Sequence, residues 1–92
     1  MTNAAMYERL FHMQFDLTHA TALKAQLWTG KTIPALARSF RPKVSAATVG
    51  HIRAGLRWAE APWPDGSQGA MPKKRAREIE EARKKALAGV VL

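Results

Sequence analysis

Residues 30–58 read GKTIPALARSFRPKVSAATVGHIRAGLRW, and this stretch decides the fold. Thr32, with a proline two residues later, is a helix-start signal, because threonine caps the first free amides and proline fits the first turn. Counting from Ile33, apolar residues follow at i+3, i+4 and i+7, which is the spacing of a helix with one buried face. Pro42 forbids continuation, so the pattern predicts a short helix over 33–40.

A second short helix is predicted after the connection 41–43. Ser45 is its N-cap, and Val49, Ile52 and Leu56 follow at steps of three and four. Gly55 weakens or ends this helix, so we expect it to span about 45–55. The two short helices are joined by a tight connection, and this pair is the core of a helix-turn-helix layout.

A longer supporting helix is predicted immediately before this pair. Thr18 is a plausible N-cap for a helix over about 19–29, in which Leu23 and Leu27 lie four residues apart. Gly30 is a good stop, because glycine takes the left-handed conformation that often follows a last helical turn. The order helix, glycine, helix, turn, helix defines a predicted core over residues 17–58.

The segment 1–16 is predicted to be an apolar helix over residues 3–15. Two neighbouring stripes at helical spacing are formed by Met6, Leu10, Met13 and Leu17, and by Tyr7, Phe11 and Phe15. Two adjacent stripes make a wide apolar face that needs burial. We expect this face to pack on the rest of the domain or to form a homodimer contact.

Two further segments follow the core. Residues 59–72 contain three prolines and two glycines, which predicts an extended linker or wing with a turn at Pro64-Asp65-Gly66. Residues 73–92 are predicted to be a basic C-terminal helix or tail, supported by the i, i+4 pairs Glu80–Lys84 and Glu81–Lys85. Its apolar face is thin, so this helix either stands in solvent or orders on a protein partner. The predicted fold class is a small all-α domain.

The charge distribution favours a polyanion as the partner. The 92 residues hold 15 Lys and Arg against 7 Asp and Glu, giving a net charge of +8. Residues 17–58 carry seven bases and no acid, whereas natural surfaces usually intersperse the two signs. Such an asymmetry is the electrostatic footprint of a nucleic-acid-binding protein.

Composition and motifs argue against several other classes of protein. There is no cysteine, which removes disulfides and thiolate chemistry and permits a reducing compartment. No apolar run approaches the ~18 residues of a membrane span, and the N-terminus does not resemble a secretory signal. HExxH spacing and phosphate-binding glycine loops are absent. We therefore expect a cytoplasmic protein that is not an enzyme, with no cofactor, no metal and no membrane contact.

Residues 17–58 resemble a known class of DNA-binding module. The resemblance is carried by Leu17-Thr18, Gly30-Lys31-Thr32, Ile33 to Phe40, Val44 to Ile52 and Gly55 to Trp58. These residues are similar to homeodomain-like helix-turn-helix modules of resolvases, transposases and phage regulators, which also accompany HNH-type homing endonucleases. One departure is Arg41-Pro42-Lys43, where the family usually has a single glycine. No HNH cluster or recombinase serine core accompanies the module, so the resemblance implies DNA binding without strand cleavage.

The helix that starts at Ser45 is the predicted reader of the major groove. Val49 and Ile52 face inward in this scheme, which turns small residues and His51 outward. Small residues permit close approach and contact with a thymine methyl group, and His51 is the strong polar reader. The neighbouring hydroxyls and bases suit phosphates. The predicted DNA-binding set is Lys31, Arg41, Lys43, Ser45, Ala46, Ala47, Thr48, Gly50, His51, Arg53, Arg57, Lys73, Lys74, Arg75 and Arg77.

The function predicted from these patterns is sequence-preferring binding of double-stranded DNA. A bacterial or phage-encoded regulator, or an accessory factor of a phage or mobile element, fits this description, and it would be nucleoid-associated when bound. One alternative is a protein-interaction module, such as a phage-encoded modulator of a host machine, that uses the wide N-terminal apolar face and the C-terminal helix. The alanine- and glycine-rich helix face also suits packing against a protein helix. RNA binding by the basic C-terminal cluster is a weaker alternative.

Overall fold

The computed structural model describes residues 15–91, and side chains are described for 15–88. Four helices are present in this part of the chain, and it contains no strand: α1 (Leu17–Trp28), α2 (Ile33–Ser39), α3 (Ala46–Arg53) and α4 (Lys73–Val91). The all-α prediction is therefore confirmed for the described residues. None of these four helices is both long and apolar enough to cross a membrane.

The first helix begins earlier than the sequence predicts. Asp16 is the N-cap of α1, so the prediction of Thr18 as the cap is wrong. The Asp16 carboxylate accepts the backbone N–H of His19 at 3.1 Å, and His19 Nδ1 in turn receives the backbone N–H of Asp16 at 3.4 Å. This reciprocal capping box satisfies two otherwise free amides. The hydrogen bond from the His19 backbone is also the main reason that the pKa of Asp16 lies below its usual value.

The end of α1 confirms the predicted glycine stop. Gly30 has a φ of +101°, and its N–H donates to the Leu27 carbonyl at 3.0 Å. The N–H of Lys31 reaches back to the Gln26 carbonyl at 3.3 Å. This pair of hydrogen bonds is a Schellman motif, which requires the left-handed conformation at its glycine.

The two short helices start at the predicted caps. Thr32 Oγ1 accepts the Ala35 N–H at 3.2 Å, and Ser45 Oγ accepts the Thr48 N–H at 3.1 Å. Helix α3 ends at Arg53, two residues before Gly55 at φ +79°. Leu56, which the spacing assigned to the inner face, therefore lies beyond the helix and is 73 % exposed.

The core is built where α1, α2 and α3 meet. Leu23 and Leu27 of α1, Leu36 of α2, and Val49 and Ile52 of α3 are all buried in one cluster. Helix α3 packs against both α1 and α2, and its apolar stripe is used in these contacts. The opposite side of α3 therefore remains available to solvent.

The segment 56–72, which includes the residues 59–72 predicted to form a linker or wing, contributes side chains to the core. Its side chains Ala61, Trp63 and Met71 are buried, and Trp63 is only 1 % exposed. The indole Nε1 donates to the Gly69 carbonyl at 2.8 Å. The predicted turn is present, with the Gly66 N–H donating to the Trp63 carbonyl at 2.7 Å. An apolar residue between two prolines is thus a core anchor here.

The apolar contacts between helix α4 and the domain come from its first two turns, and Arg83 adds a 3.4 Å hydrogen bond to the Gly30 carbonyl. Ala76 and Ile79 pack against the core cluster, whereas the side chains of residues 80–88 are all exposed. Leu87 is 61 % exposed. Only the first part of the predicted thin apolar face is therefore packed against the domain.

The predicted N-terminal apolar helix over residues 3–15, with its dimer contact, lies outside the described residues except for Phe15. The Phe15 ring packs edge-on against Phe40 and Trp58, with ring centroids 6.0 and 5.8 Å apart. These contacts place Phe15 on the edge of the core.

Candidate nucleic-acid interface

One face of α3 is turned to solvent, and we call it the α3 face: Ala46, Ala47, Gly50, His51 and Ala54. Four of its residues are exposed and Gly50 is half-buried, whereas Val49 and Ile52 on the other side are fully buried. The outward and inward positions agree with those predicted from the spacing. Apart from His51, the α3 face carries only the methyl groups of alanines and the hydrogen of Gly50, so a rigid surface can approach the helix closely.

The N-terminus of α3 keeps its hydroxyl groups for its own cap. Ser45 Oγ donates to Thr48 Oγ1 at 2.9 Å while accepting the Thr48 N–H. The two hydroxyls predicted to hold phosphates are therefore engaged with each other. No acidic residue stands in the first turn, so the backbone amides of Ala46 and Ala47, at the positive end of the helix dipole, remain the groups that suit an anion.

Exposed bases bracket α3 at both ends. Lys43 precedes the helix, Arg53 forms its last residue and Arg57 follows it, and all three are exposed. The ion pairs found within the described residues involve other groups, Asp16 with His19 and Arg75 with Glu78. These three bases are therefore held by no carboxylate within the described part of the chain.

Two other exposed bases of the predicted DNA-binding set form hydrogen bonds within the chain. Arg41 Nη1 donates to the carbonyls of Arg38 and Phe40, at 3.2 and 2.9 Å. Lys31 Nζ donates to Gln26 Oε1 at 3.1 Å. Both side chains are exposed, so these hydrogen bonds orient the positive charges without removing them from water.

The basic cluster at the start of α4 divides into two groups. Lys73, Lys74 and Arg77 are exposed. Arg75 instead donates from Nε and Nη2 to the Trp28 carbonyl, at 3.0 and 2.6 Å, and its guanidinium lies 5.3 Å from the Trp28 ring centroid. Arg75 thereby caps a free carbonyl at the end of α1 and fixes α4 to it. We assign it a structural role in place of the predicted DNA contact.

Lys24 is one of the seven bases of residues 17–58, and the structure places it in the interior. It is fully buried, and its Nζ donates to the carbonyls of Trp58 and Ala61, at 2.9 and 2.6 Å. Burial lowers the pKa of Lys24, although the charge of Glu60 opposes this shift. The sequence carried a signal for this position, because Lys24 lies four residues after Ala20 on the buried side of α1. The exposed bases of residues 17–58 are therefore Lys31, Arg38, Arg41, Lys43, Arg53 and Arg57.

No protein-family model matches this sequence, and neither a curated protein nor a solved structure matches it significantly. What can be assigned therefore rests on the fold and on the surface. These define a small all-α protein whose α3 face is small-sided and flanked by positive charge.

Proposed function

We propose that this protein binds double-stranded DNA by placing the α3 face in the major groove. One observation carries the proposal: a solvent-facing helix side of small residues around His51, bracketed by three exposed bases that no described carboxylate pairs. The packing of α3 on both α1 and α2 supports a helix-turn-helix arrangement.

Affinity in this proposal comes from phosphates. Lys43, Arg53 and Arg57 neutralise backbone charges on either side of the groove, and release of counterions drives binding. The exposed Lys73, Lys74 and Arg77 lie on a separate helix and extend the footprint along the backbone. None of these contacts distinguishes one base pair from another.

Sequence preference comes from the α3 face. Ala46, Ala47 and Gly50 allow the backbone of α3 to approach the base edges, and the methyl groups of the two alanines suit the thymine methyl. His51 supplies the hydrogen-bonding group that distinguishes base pairs. This division of labour fits a small regulator or accessory factor of a phage or mobile element, acting in the cytoplasm or on the nucleoid without catalysing a reaction.

The test combines selection with salt titration. Selection from random duplexes by the full chain is expected to enrich one motif, and footprinting then gives the contacted phosphates. Affinity for that duplex is expected to fall with salt, with a log–log slope of about −0.9 per phosphate neutralised. Duplex RNA of the same sequence is the matched control, since its narrow major groove excludes α3. Failure to enrich a motif, together with a flat salt dependence, would refute the proposal.

A protein-interaction role is the second candidate, and one observation favours it. The C-terminal half of α4 projects from the domain with Leu87 61 % exposed, and a helix that leaves an apolar side chain in water suits a partner. Binding of a protein through residues 72–92 is compatible with DNA binding through α3. Removal of residues 80–92 distinguishes the two roles, because it deletes this surface and leaves α3 in place.

A further inference from the structure

A groove of about 370 Å³ lies beside the α3 face. It is enclosed by the junction between α1 and α2, by the end of α3 and by the first turns of α4. Its apolar lining, which we call the floor, consists of Leu27, Ile33, Pro34, Met71 and Ile79. Leu27 and Met71 are buried, whereas Ile33 and Ile79 are half-buried and Pro34 is exposed. The apolar surface that an occupant could contact therefore comes mainly from Ile33, Pro34 and Ile79.

Three positive charges stand around this apolar floor. Lys31, Arg53 and Arg83 line the groove, and each is exposed. They come from three different parts of the fold, and Arg83 is oriented by a 3.4 Å hydrogen bond from Nη2 to the Gly30 carbonyl. Among the described residues, no carboxylate lines the groove. Its charge is therefore uncompensated while its floor is hydrophobic.

These two properties together select the chemistry of an occupant. We propose that the groove binds an acidic amphipathic segment of a protein partner. Its apolar side chains cover Ile33, Pro34 and Ile79 and reach the edge of Met71, and its carboxylates face the three bases. A DNA backbone would satisfy the bases but would leave the apolar floor without a partner, so the floor favours a peptide. Laying an amphipathic helix in a groove is a common form of peptide recognition.

The proposal is independent of DNA binding, but the two surfaces share one residue. Arg53 ends α3 and also lines the groove. If the α3 face binds DNA as proposed above, a peptide in the groove competes for this guanidinium. The decisive test therefore leaves Arg53 unchanged and uses residues that report on the groove alone.

The experiment uses the full chain labelled with ¹³C at its methionine methyl groups. The probe is a synthetic peptide of about 15 residues, long enough to form a helix on binding, with leucines at i, i+3, i+4 and i+7 and glutamates elsewhere. The matched peptide has the same composition in an order that breaks the stripe. We expect saturable shifts of the Met71 methyl signal and intermolecular contacts between it and the peptide leucines, with the ordered peptide only. The Met71→Leu variant assigns the signal.

A pair of variants tests the charged rim. Arg83 and Lys85 are both exposed bases on α4, and only Arg83 lines the groove. Arg83→Ala is expected to weaken peptide binding about two- to fivefold, as for one surface ion pair, whereas Lys85→Ala leaves it unchanged. Thermal unfolding of both variants verifies that they fold.

Three outcomes would overturn the proposal. The first is a Met71 signal that does not move when the ordered peptide is added. The second is an equal shift of Met71 by both peptides, and the third is an equal loss of peptide affinity in both variants. A duplex DNA titration completes the comparison. If DNA shifts Met71 and Arg83→Ala weakens DNA binding while the peptide does not bind, the groove belongs to the nucleic-acid surface.

Discussion

The Nζ of Lys24 lies 2.6 Å from the carbonyl oxygen of Ala61 and 5.0 Å from the centre of the Trp63 ring. This contact joins the middle of α1 to a segment 37 residues further along the chain. The positive charge lies where the 56–72 segment crosses α1. Its N–H groups donate to two backbone carbonyls that lie outside any helix or strand. Lys24 therefore holds the segment that covers the core, and it takes no part in a surface for DNA.

Replacing this lysine is expected to loosen the 56–72 segment. The substitution Lys24→Met keeps much of the apolar stem. It leaves the Ala61 carbonyl without its donor and the Trp58 carbonyl with only the Ala61 N–H at 3.1 Å. We expect the free energy of unfolding to fall by about 1–3 kcal/mol, which is the cost of buried polar groups left unsatisfied. Urea denaturation followed by tryptophan fluorescence measures it. Lys85→Met, at an exposed position, is the control, and an equal effect of both variants would contradict this role.

The same burial predicts a dependence of stability on pH. Desolvation lowers the pKa of Lys24 in the folded protein below the ordinary value of 10.5. At a pH between these two values, the unfolded chain holds more protons than the folded chain, so the free energy of unfolding rises with pH there. Above 10.5 both states are neutral and the rise ends. Measured relative to Lys24→Met across this alkaline range, wild-type stability is expected to increase, and a decrease would contradict the assignment.

Two glycines with similar backbone angles are expected to respond differently to alanine. Gly55 and Gly66 have φ values of +79° and +89°. A Cβ at Gly55 would lie 2.5 Å from the Ala70 nitrogen, whereas nothing lies within 4 Å of one at Gly66. Gly66→Ala should cost about 1–2 kcal/mol from the left-handed backbone alone. Gly55→Ala should cost about 1–3 kcal/mol more, because backbone must move. Equal thermal shifts in the two variants would show that the close approach is not maintained in solution.

The helical elements of residues 17–58 were predictable because their signals are local. Thr32, Ser45 and Gly30 act on amides and carbonyls within four residues, and the structure confirms all three. The prediction of Thr18 as the cap of α1 is wrong, because Asp16, two residues earlier, is the cap. Both residue types are good caps, so the local signal does not separate them. Local chemistry thus located this helix to within two residues.

What the sequence did not reveal depends on distant contacts. Trp63 lies between prolines in a stretch with turn composition, and only its packing against Trp28, with ring centroids 6.2 Å apart, makes it a core residue. Arg75 belongs by sequence to a run of bases, and only the nearby Trp28 carbonyl removes it from that run. The spacing therefore identified the solvent-exposed side of α3, whereas the number of exposed bases was overestimated, and the DNA-binding role of this surface stays a prediction.

The division of the α4 basic cluster leads to a prediction about stability. Arg75→Gln removes two hydrogen bonds to the Trp28 carbonyl and a cation–π contact. We expect a loss of about 1–3 kcal/mol in the free energy of unfolding. Lys74→Gln, at the neighbouring exposed position, should leave the free energy of unfolding within about 0.5 kcal/mol of wild type. Chemical denaturation of the two variants measures the difference. If Arg75→Gln is as stable as Lys74→Gln, Arg75 does not stabilise the docking of α4 and counts as a surface cation.

The last prediction separates affinity from sequence preference at the α3 face. Arg57 is exposed beyond the end of α3, and His51 is exposed at its centre. Arg57→Ala, like Lys43→Ala, should weaken binding to every duplex and reduce the salt slope by about one contact. His51→Ala should instead change the preference at one or two base pairs, by about 1–3 kcal/mol. Competition binding with the selected motif and single-base variants of it distinguishes the two effects. If all three substitutions leave duplex affinity and preference unchanged, α3 does not read DNA, and the positive surface serves another partner.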